Sequence, residues 1–297
     1  MEICVFGAGS LGSLVGGVLA REHDVILVGR EPHVGAIEDA GLQITGEISD
    51  SVQPRASTAP PEQTDLAVVT VKSFDTERAA RELGGCVLDG VLSLQNGMGN
   101  ESMLAAELDC PVLAGTCTYG ARIEEPGTVE CTGLGEITLG PADGGDSELA
   151  DRTGTAFQQA GLETRVSAEM PRKLWEKLAV NAGINATTAL ARIQNGALLE
   201  GSIREIARKA ACEAARVARD QGHRLSGQQV MDRTFEVAET TAQNTSSMHQ
   251  DIRAEKRTEI DAINGYIVER AEKPALVNET LTALLRAWER ERGLRQP

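Results

Sequence analysis

The 297-residue sequence is short of lysine and of aromatic side chains. It has six lysines, and phenylalanine, tryptophan and tyrosine together make up 3% of the chain. Aspartate and glutamate outnumber lysine and arginine by 44 to 29, so the formal net charge at pH 7 is -15. Such a balance excludes nucleic acid and anionic membranes as partners of the surface as a whole. An anionic ligand therefore requires a local cluster of basic side chains.

An acidic, lysine-poor surface is also typical of a protein that works in concentrated salt, where charges are screened within a few ångströms. We state a high-salt cytoplasm as a hypothesis. A loss of stability between dilute buffer and molar KCl would contradict it.

Long apolar runs, close cysteine pairs and paired histidines are lacking as well. No stretch approaches the length that spans a bilayer, and the amino terminus shows none of the regions of a signal peptide. The six cysteines lie far apart, which argues against a disulfide framework and a zinc site. The four histidines show no metal-ligand spacing. We expect a cytoplasmic protein with reduced thiols and no bound metal.

A glycine-rich motif follows the first apolar run, residues 2–6. The motif consists of Gly7, Ala8, Gly9, Ser10, Leu11 and Gly12, and a helical pattern comes next. A strand, a glycine-rich turn and a helix N-terminus are the setting in which dinucleotides bind. Gly7 suits a tight turn, Gly9 the close approach of a pyrophosphate, and Gly12 the packing of helix on strand. This setting favours nucleotide binding over a purely structural turn.

The second apolar run, residues 24–28, ends at Gly29, Arg30 and Glu31. A ribose-binding residue is expected at about this position. Arg30 can pair with the 2′-phosphate of NADPH, whereas an acidic residue here would favour NAD. We therefore expect NADPH, and Glu31 leaves NAD as the alternative.

Two further buried strands, residues 65–71 and 91–94, are followed by Lys72 and by Asn96. The carboxyl ends of parallel strands are where open α/β sheets bind ligands. Residues 111–140 alternate short β-like runs with glycine and proline turns, which predicts antiparallel strands that extend the sheet.

We place the first domain at residues 1–167 and the second at residues 168–297. Beyond residue 170 strand signals disappear and helical patterns take over. The predicted helices span residues 171–190, 202–221, 226–237 and 249–273, with a last helix after residue 277. The predicted fold class is α/β, a Rossmann-type dinucleotide-binding domain followed by an all-α domain.

The first helix of the second domain carries an amine and two amides on one side, from Lys177, Asn181 and Asn185. Leu174, Leu178 and Ala182 form a second row that suits packing. Taken alone, a polar row of this kind is a solvated stripe.

The helix predicted over residues 249–273, extended back to residue 244, has a polar sector beside a row of isoleucines. The sector comprises Asn244, Ser247, Asp251, Glu255, Thr258 and Glu259, and the row comprises Ile252, Ile260, Ile263 and Ile267. The isoleucines predict a packing face. Periodicity alone leaves the polar sector facing water.

Five motifs in this order resemble the ketopantoate reductase (2-dehydropantoate 2-reductase) family over almost the whole length. They are residues 7–12, 71–72, 95–99, 175–185 and 244–265. Countless dehydrogenases share the first motif, whereas the last two are far more specific. One position departs from the family pattern, because Cys131 stands where many members carry a histidine in the sheet extension.

The resemblance implies the reduction of 2-dehydropantoate to (R)-pantoate by NADPH, a step of coenzyme A biosynthesis. It implies that Lys177 is the general acid and that Glu259 accepts a hydrogen bond from the substrate hydroxyl. The implied substrate-binding residues are Asn96, Lys177, Asn181, Asn185, Asn244, Ser247 and Glu259. The implied cofactor-binding residues are those of the glycine-rich motif together with Arg30, Lys72 and Asn96.

Two alternatives stay open because fold does not determine substrate. One is a reductase of the same architecture that acts on another 2-oxo acid or a β-hydroxy acid. The other is a catalytically inactive NADP-binding redox sensor, which would have no reason to keep Lys177, Asn181, Asn244, Ser247 and Glu259. The sequence leaves the oligomeric state open, a homodimer included.

Overall fold

The computed structural model describes residues 1–295 of the chain. Its contacts divide the chain into two compact units. The first unit consists of Met1–Gln95 and Asn100–Met170, and the second of Asn96–Gly99 and the chain from Pro171 onward. The short segment Asn96–Gly99 thus lies inside the predicted first domain but packs with the second unit.

Within residues 1–295, the first unit contains the strands, five α-helices and a 3₁₀-helix at Ser73–Asp75. The strands are β1 (Glu2–Phe6), β2 (Asp24–Val28), β3 (Leu42–Gly46), β4 (Asp50–Val52), β5 (Arg55–Ser57), β6 (Gln63–Val69), β7 (Val87–Ser93), β8 (Val112–Cys117), β9 (Gly120–Glu125), β10 (Thr128–Gly133), β11 (Ile137–Pro141) and β12 (Thr164–Val166). The helices are α1 (Ser10–Leu19), α2 (His33–Ala40), α3 (Thr76–Leu83), α4 (Asn100–Glu107) and α5 (Glu148–Gln159).

Eight strands form the main sheet, in the order β12-β11-β8-β7-β6-β1-β2-β5. The strands from β5 to β8 in this order are parallel, and β11 runs antiparallel to β8. The chain moves outward from β1 to β2 and β5, and then returns to the other side of β1 with β6. This reversal is the topological switch point beside which open α/β sheets bind ligands.

The central strands are apolar because helices cover both faces of the sheet. In β1, Ile3 and Val5 pack into a core shared with α1. Cys4 and Phe6 point to the other face and pack into a core shared with α3 and α4. This alternation follows from the two-residue period of a strand.

A smaller sheet, in the order β4-β3-β10-β9, corrects one prediction. The strand β10 pairs in parallel with β3 and antiparallel with β9, so within residues 111–140 only β8 and β11 extend the main sheet. The reason is that β3, which was not predicted and which also pairs with β4, offers β10 a separate partner. Cys131, at the position that departs from the family pattern, is 1% exposed in the core under α1.

The second unit is helical, which confirms the predicted fold class. Its helices are α6 (Met170–Ala191), α7 (Gly201–Asp220), α8 (Gly227–Thr240), α9 (Ser247–Arg253), α10 (Tyr266–Arg270) and α11 (Leu276–Glu291). A 3₁₀-helix spans Asn195–Leu199 and a π-helical turn spans Asp261–Gly265. Close packing of α6 on α7 requires a glycine, because a Cβ on Gly183 would lie 2.9 Å from the Ala207 carbonyl oxygen.

The single helix predicted over residues 249–273 is wrong, because α9 ends at Arg253. Glu255 has a φ of 49°. The Lys256 N–H donates to the Asp251 carbonyl at 2.8 Å, and the Glu255 N–H donates to the Ile252 carbonyl at 3.1 Å. These two bonds form a Schellman-type helix end, which a glycine usually marks. No glycine or proline stands here, so the helical pattern continued unbroken in the sequence.

The four isoleucines of the predicted packing face are nevertheless all buried in the helical core. The polar sector does not face water as a whole, because Thr258 is 1% and Glu259 is 4% exposed.

The described part of the chain lacks membrane-spanning helices and clusters of metal ligands. No helix there is both long enough and apolar enough to cross a bilayer. Likewise, residues 1–295 contain no group of three or more His, Cys, Asp or Glu side chains arranged to hold a metal ion.

Candidate active site

The glycine-rich turn joins β1 and α1 and is tied to its neighbours by hydrogen bonds. The Gly7 and Ala8 N–H groups donate to the Val28 carbonyl at 2.9 and 2.8 Å, at the end of β2. Thr70 Oγ1 donates to the Gly7 carbonyl at 2.8 Å, just after β6. A Cβ on Gly12 would lie 2.5 Å from Thr70 Oγ1, so the contact between helix and turn requires a glycine at position 12.

Gly9 differs from Gly12 because the surrounding protein leaves room for a side chain. The nearest atom to a Cβ placed there is the Gly7 carbonyl oxygen, at 3.9 Å. Gly9 is exposed and lies at the N-terminus of α1, whose first turn has no acidic residue. The free N–H groups and dipole of such a helix end favour a phosphate. The open space beside Gly9 therefore fits the close approach of a pyrophosphate.

The other residues of the motif are engaged in packing. Ser10 Oγ accepts a hydrogen bond from the Ile123 N–H at 3.3 Å, which joins α1 to the smaller sheet. Ala8 is buried, and Leu11 packs at the edge of the first core.

A buried histidine that sequence reasoning missed holds α1 in place. The Gly127 N–H donates to His33 Nδ1 at 3.0 Å, and His33 Nε2 lies 2.9 Å from Ser13 Oγ. Because Nδ1 accepts, we assign the proton of the neutral ring to Nε2, which donates to Ser13. Burial lowers the pKa of His33. The ring thus fastens α1 to α2 and to the turn between β9 and β10.

Charged side chains gather at the carboxyl end of β2. Arg30 Nη2 and Arg78 Nη2 lie 3.3 and 3.4 Å from the two carboxylate oxygens of Asp75. The Arg30 side chain is 74% exposed and that of Arg78 is 45% exposed. The Glu31 carboxylate instead accepts the Gly35 N–H at 3.2 Å, in the first turn of α2. Sequence reasoning missed Asp75 and Arg78, whose only signal was their spacing of three residues at the start of a helix.

Lys72 follows β6 at the same edge of the sheet. Its carbonyl accepts the Asp75 N–H at 2.8 Å. The Val71 carbonyl, one residue earlier, accepts from Gln95 Nε2 at 3.0 Å, and the same nitrogen donates to Thr76 Oγ1 at 2.7 Å. Gln95 is 4% exposed. This buried amide fixes the chain after β6 to the chain after β7, and so helps to set the position of Lys72.

In the second unit, α6 carries Lys177, Asn181 and Asn185 at successive turns, as predicted. Lys177 and Asn181 are half-buried, and Asn185 is 6% exposed. A solvated stripe would leave all three side chains in water. The row is therefore enclosed by protein at its Asn185 end and more open at its Lys177 end.

The segment Asn96–Gly99 docks on the π-helical turn of the same unit. The Met98 N–H donates to the Ala262 carbonyl at 3.0 Å. Gly97 has a φ of 82°, and a Cβ there would lie 2.5 Å from the Ala262 Cβ. Both the backbone conformation and the contact require a glycine. Asn96 is thereby held close to the chain that follows Glu259.

Two side-chain hydrogen bonds hold other segments against α6. Asn264 Nδ2, in the π-helical turn, donates to the Ala182 carbonyl at 3.1 Å, and Asn264 is fully buried. Thr188 Oγ1 lies 2.7 Å from Ser246 Oγ, at the N-terminus of α9. The segments on either side of α9 are thus fixed to the helix that carries Lys177. Sequence reasoning missed these links because a buried amide or hydroxyl has no pattern of its own.

The remaining predicted substrate residues differ in exposure. Glu259 is buried, whereas Asn244 and Ser247 are exposed. The Asn244 carbonyl accepts the Asn195 N–H at 3.1 Å, and Ser247 is the first residue of α9. The second unit thus contains every predicted substrate-binding residue, and the first unit contains the glycine-rich motif, Arg30 and Lys72.

Comparison with known proteins gives matches along both units. Residues 3–144 match the family Ketopantoate reductase PanE/ApbA, and residues 169–289 match Ketopantoate reductase PanE/ApbA C terminal. The 2-dehydropantoate 2-reductase of Halobacterium salinarum is 42% identical over 98% of this chain and 100% of that protein.

Solved structures give the same result. A PanE/ApbA family ketopantoate reductase from Ralstonia eutropha has a TM-score of 0.91 and 34% identity, and the match covers 99% of this chain and 100% of that one. A D-mandelate dehydrogenase, in a ternary structure with NADH and anilino(oxo)acetate, has a TM-score of 0.92 and 25% identity with the same coverage. The order of the motifs, the two units and these matches agree, and the chain belongs to the ketopantoate reductase PanE/ApbA family.

Proposed function

We propose that the protein reduces 2-dehydropantoate to (R)-pantoate with NADPH, a step of coenzyme A biosynthesis. One observation carries this proposal. A single compact unit holds Lys177, Asn181 and Asn185 on one helix, and Asn264 joins that helix to the segment of Glu259. An ammonium, two amides and a buried carboxylate suit a small, polar, anionic substrate with a hydroxyl group.

The chemistry assigns a role to each of these groups. NADPH, when bound, supplies a hydride to C2 of the ketone. The Lys177 ammonium stabilises the negative charge that develops on the carbonyl oxygen and then gives that oxygen a proton. The amides and Ser247 bind the substrate carboxylate, and Glu259 accepts a hydrogen bond from the terminal hydroxyl. The lysine amine that results regains its proton from water.

The cofactor preference rests on the charges beyond β2. Arg30 and Arg78 present two guanidinium groups, which pair well with a phosphate. Glu31, the acidic residue that would favour NADH, is engaged at the start of α2. The open space beside Gly9 suits the pyrophosphate, which both cofactors share. We therefore propose NADPH as the preferred cofactor.

A substrate panel tests the function. Oxidation of NADPH and of NADH is followed with ketopantoate, 2-oxoisovalerate, pyruvate and oxaloacetate. Ketopantoate should be preferred, because a site built to bind a hydroxyl discriminates strongly against an analogue that lacks it. In Glu259→Ala the gap between ketopantoate and 2-oxoisovalerate should narrow, chiefly because ketopantoate becomes a worse substrate. An unchanged ratio would overturn the role of Glu259 and weaken the assignment of ketopantoate.

A reductase of another 2-oxo acid is the second candidate, and the likeness to D-mandelate dehydrogenase favours it. It predicts that another acid of the panel, or NADH, is used better. A redox sensor without catalysis predicts no oxidation with any acid. The cytoplasmic location and a homodimer stay predictions, and gel filtration at several protein concentrations tests the homodimer.

A further inference from the structure

The chain around Glu259 is buried without being part of a regular helix. It lies between the end of α9 at Arg253 and the π-helical turn that begins at Asp261. Thr258 and Glu259 are almost fully buried. Buried backbone groups outside helices and strands need partners elsewhere in the protein.

Glu289, on α11, supplies one such partner. Its side chain is fully buried. One carboxylate oxygen accepts both the Thr258 N–H at 2.8 Å and the Thr258 hydroxyl at 2.6 Å. The other oxygen accepts from Arg295 Nε at 2.8 Å. A buried carboxylate is costly unless it is paired and hydrogen-bonded, so Arg295 is what allows Glu289 to hold Thr258.

Asp261 lies on the other side of Glu259 and is held by the same arginine. Its carboxylate accepts hydrogen bonds from Arg295 and from Arg286 Nε, the latter at 2.8 Å, and Arg257 lies 3.6 Å away. Burial raises the pKa of the Asp261 carboxyl, but the bonds from Arg295 and Arg286 outweigh it and the pKa lies below its usual value. Arg295 thus contacts Glu289, which binds Thr258 just before Glu259, and also Asp261, which follows Glu259.

We propose that Arg295 and Glu289 are positioning residues that hold the Glu259 carboxylate in place to read the substrate hydroxyl. The proposal rests on the proposed function of Glu259. Arg295 bridges Glu289, which binds the residue before Glu259, and Asp261, two residues after it. Thr258 and Asp261 are thereby fixed relative to α11. In this way α11 and Arg295 support the segment of Glu259 from both sides.

Arg295→Ala tests this proposal, with Arg292→Ala as the matched control. Arg292 lies 4.0 Å from the exposed Glu255 and stacks over Trp288. Within residues 1–295, the hydrogen bonds and ion pairs of Glu289 and Asp261 come from residues other than Arg292. In Arg295→Ala the KM for ketopantoate should rise. The preference for ketopantoate, measured as the ratio of its kcat/KM to that of 2-oxoisovalerate, should fall by about 10- to 100-fold. This is the size expected when a binding group is displaced by about 1 Å. The dissociation constant of NADP⁺ should not change. Arg292→Ala should behave like the unmutated protein.

Glu289→Gln is the second variant, because it keeps an acceptor for Thr258 but loses the charge that pairs with Arg295. It should show a smaller fall in preference than Arg295→Ala, and Arg295→Lys should partly restore the preference. A lower melting temperature with unchanged KM and unchanged preference in these variants would overturn the positioning role. If the unmutated protein shows no preference for ketopantoate, the proposed substrate fails. The positioning role, which rests on that substrate, then fails with it, whereas a preference of the unmutated protein that Arg295→Ala leaves unchanged overturns the positioning role alone.

Discussion

The glycine-rich turn before α1 and the chain before the π-helical turn both carry proposed site residues, but they are held in different ways. In the turn, the glycines themselves allow the backbone conformation and the close contact with Thr70. Around Glu259, the conformation depends on Glu289, which is 31 residues from Thr258. A backbone shape is visible in the sequence when its cause lies in the same residues. It is hidden when the cause is a side chain from another element.

Lys177→Ala should have the largest effect, because Lys177, on α6, is the proposed proton donor. Loss of a general acid commonly lowers turnover by about two to four decades. NADP⁺ binding should stay normal. The control is Lys173→Ala, since Lys173 is 43% exposed and pairs with Glu176 at 3.7 Å. Steady-state kinetics measure both variants, and a larger loss in the control would show that the proton donor is assigned to the wrong lysine.

Gly12→Ala and Gly9→Ala should distinguish the two roles of glycine in the glycine-rich turn, which are packing at Gly12 and cofactor binding at Gly9. The methyl group at position 12 meets backbone and Thr70, so the free energy of unfolding should fall by about 3 kcal/mol, the upper end of overpacking effects. The methyl group at position 9 meets no protein atom closer than 3.9 Å, so stability should stay near normal while NADP⁺ binds more weakly. Urea unfolding and fluorescence titration with NADP⁺ measure the two effects. Normal cofactor affinity in a folded Gly9→Ala would remove the support for a pyrophosphate at this site.

Arg30→Ala and Arg78→Ala should each weaken NADPH binding by about one to two decades, since hydrogen bonds to charged groups contribute roughly 1.5 to 3 kcal/mol. NADH should be nearly unaffected. Arg81→Ala is the matched control, because Arg81 lies in α3 together with Arg78 but pairs with Glu77 at 2.8 Å. Binding of 2′,5′-ADP and of 5′-AMP, measured by calorimetry, isolates the 2′-phosphate. Equal affinity of the unmutated protein for the two nucleotides would contradict the preference for NADPH.

Substitution of His33, whose ring fastens α1 behind the glycine-rich turn, should have a smaller effect on stability. Its pKa is lowered by burial from an ordinary value of 6.5, so the unfolded chain binds a proton more readily than the folded protein. The stability contributed by the neutral ring is complete above pH 6.5. It is lost as the pH falls from 6.5 towards the lower pKa of the folded state.

His33→Gln cannot take up this proton, so its melting temperature should fall less steeply than that of the unmutated protein below pH 6.5. Part of the slope should remain, because burial also lowers the pKa of His249. Identical slopes in the two proteins would show that His33 is not protonated on unfolding in this range.

Glu255→Gly should have the smallest effect. It would place after α9 the glycine that usually marks a helix end of this kind. Glu255 has a positive φ, which glycine adopts without the clash of a Cβ. The free energy of unfolding should rise by about 0.5 to 1 kcal/mol. Glu255→Ala is the control and should not stabilise the protein, because alanine keeps the Cβ. Equal stability of the two variants in urea unfolding would mean that the left-handed conformation costs little here.

The elements that were predicted well are those whose pattern is long or repeated. The strands β1 and β2 and the helix α6 fall within a residue or so of their predicted limits, because apolar runs and amphipathic periods set them. The strands β3, β4 and β5 are three to five residues long. Such short segments become strands only because the edge of a neighbouring strand forms hydrogen bonds with them. No local sequence pattern indicates where that edge lies.

The site was predicted in part for the same reason. Lys177, Asn181 and Asn185 lie on one helix, so their spacing alone placed them on one side of it. Asn264, Glu289 and Arg295 were missed, since each acts through a partner that only folding brings close.

The sequence by itself determined the order of the α/β and all-α domains, the glycine-rich turn and the polar row on α6. Each of these depends on residues that are neighbours along the chain. Only the tertiary structure decided that Asn96–Gly99 joins the second unit, that α9 stops at Arg253, and that Glu259 is buried. The physical reason is that buried polar groups must find partners. Those partners, Ala262 for Met98 and Glu289 for Thr258, lie far away in the sequence.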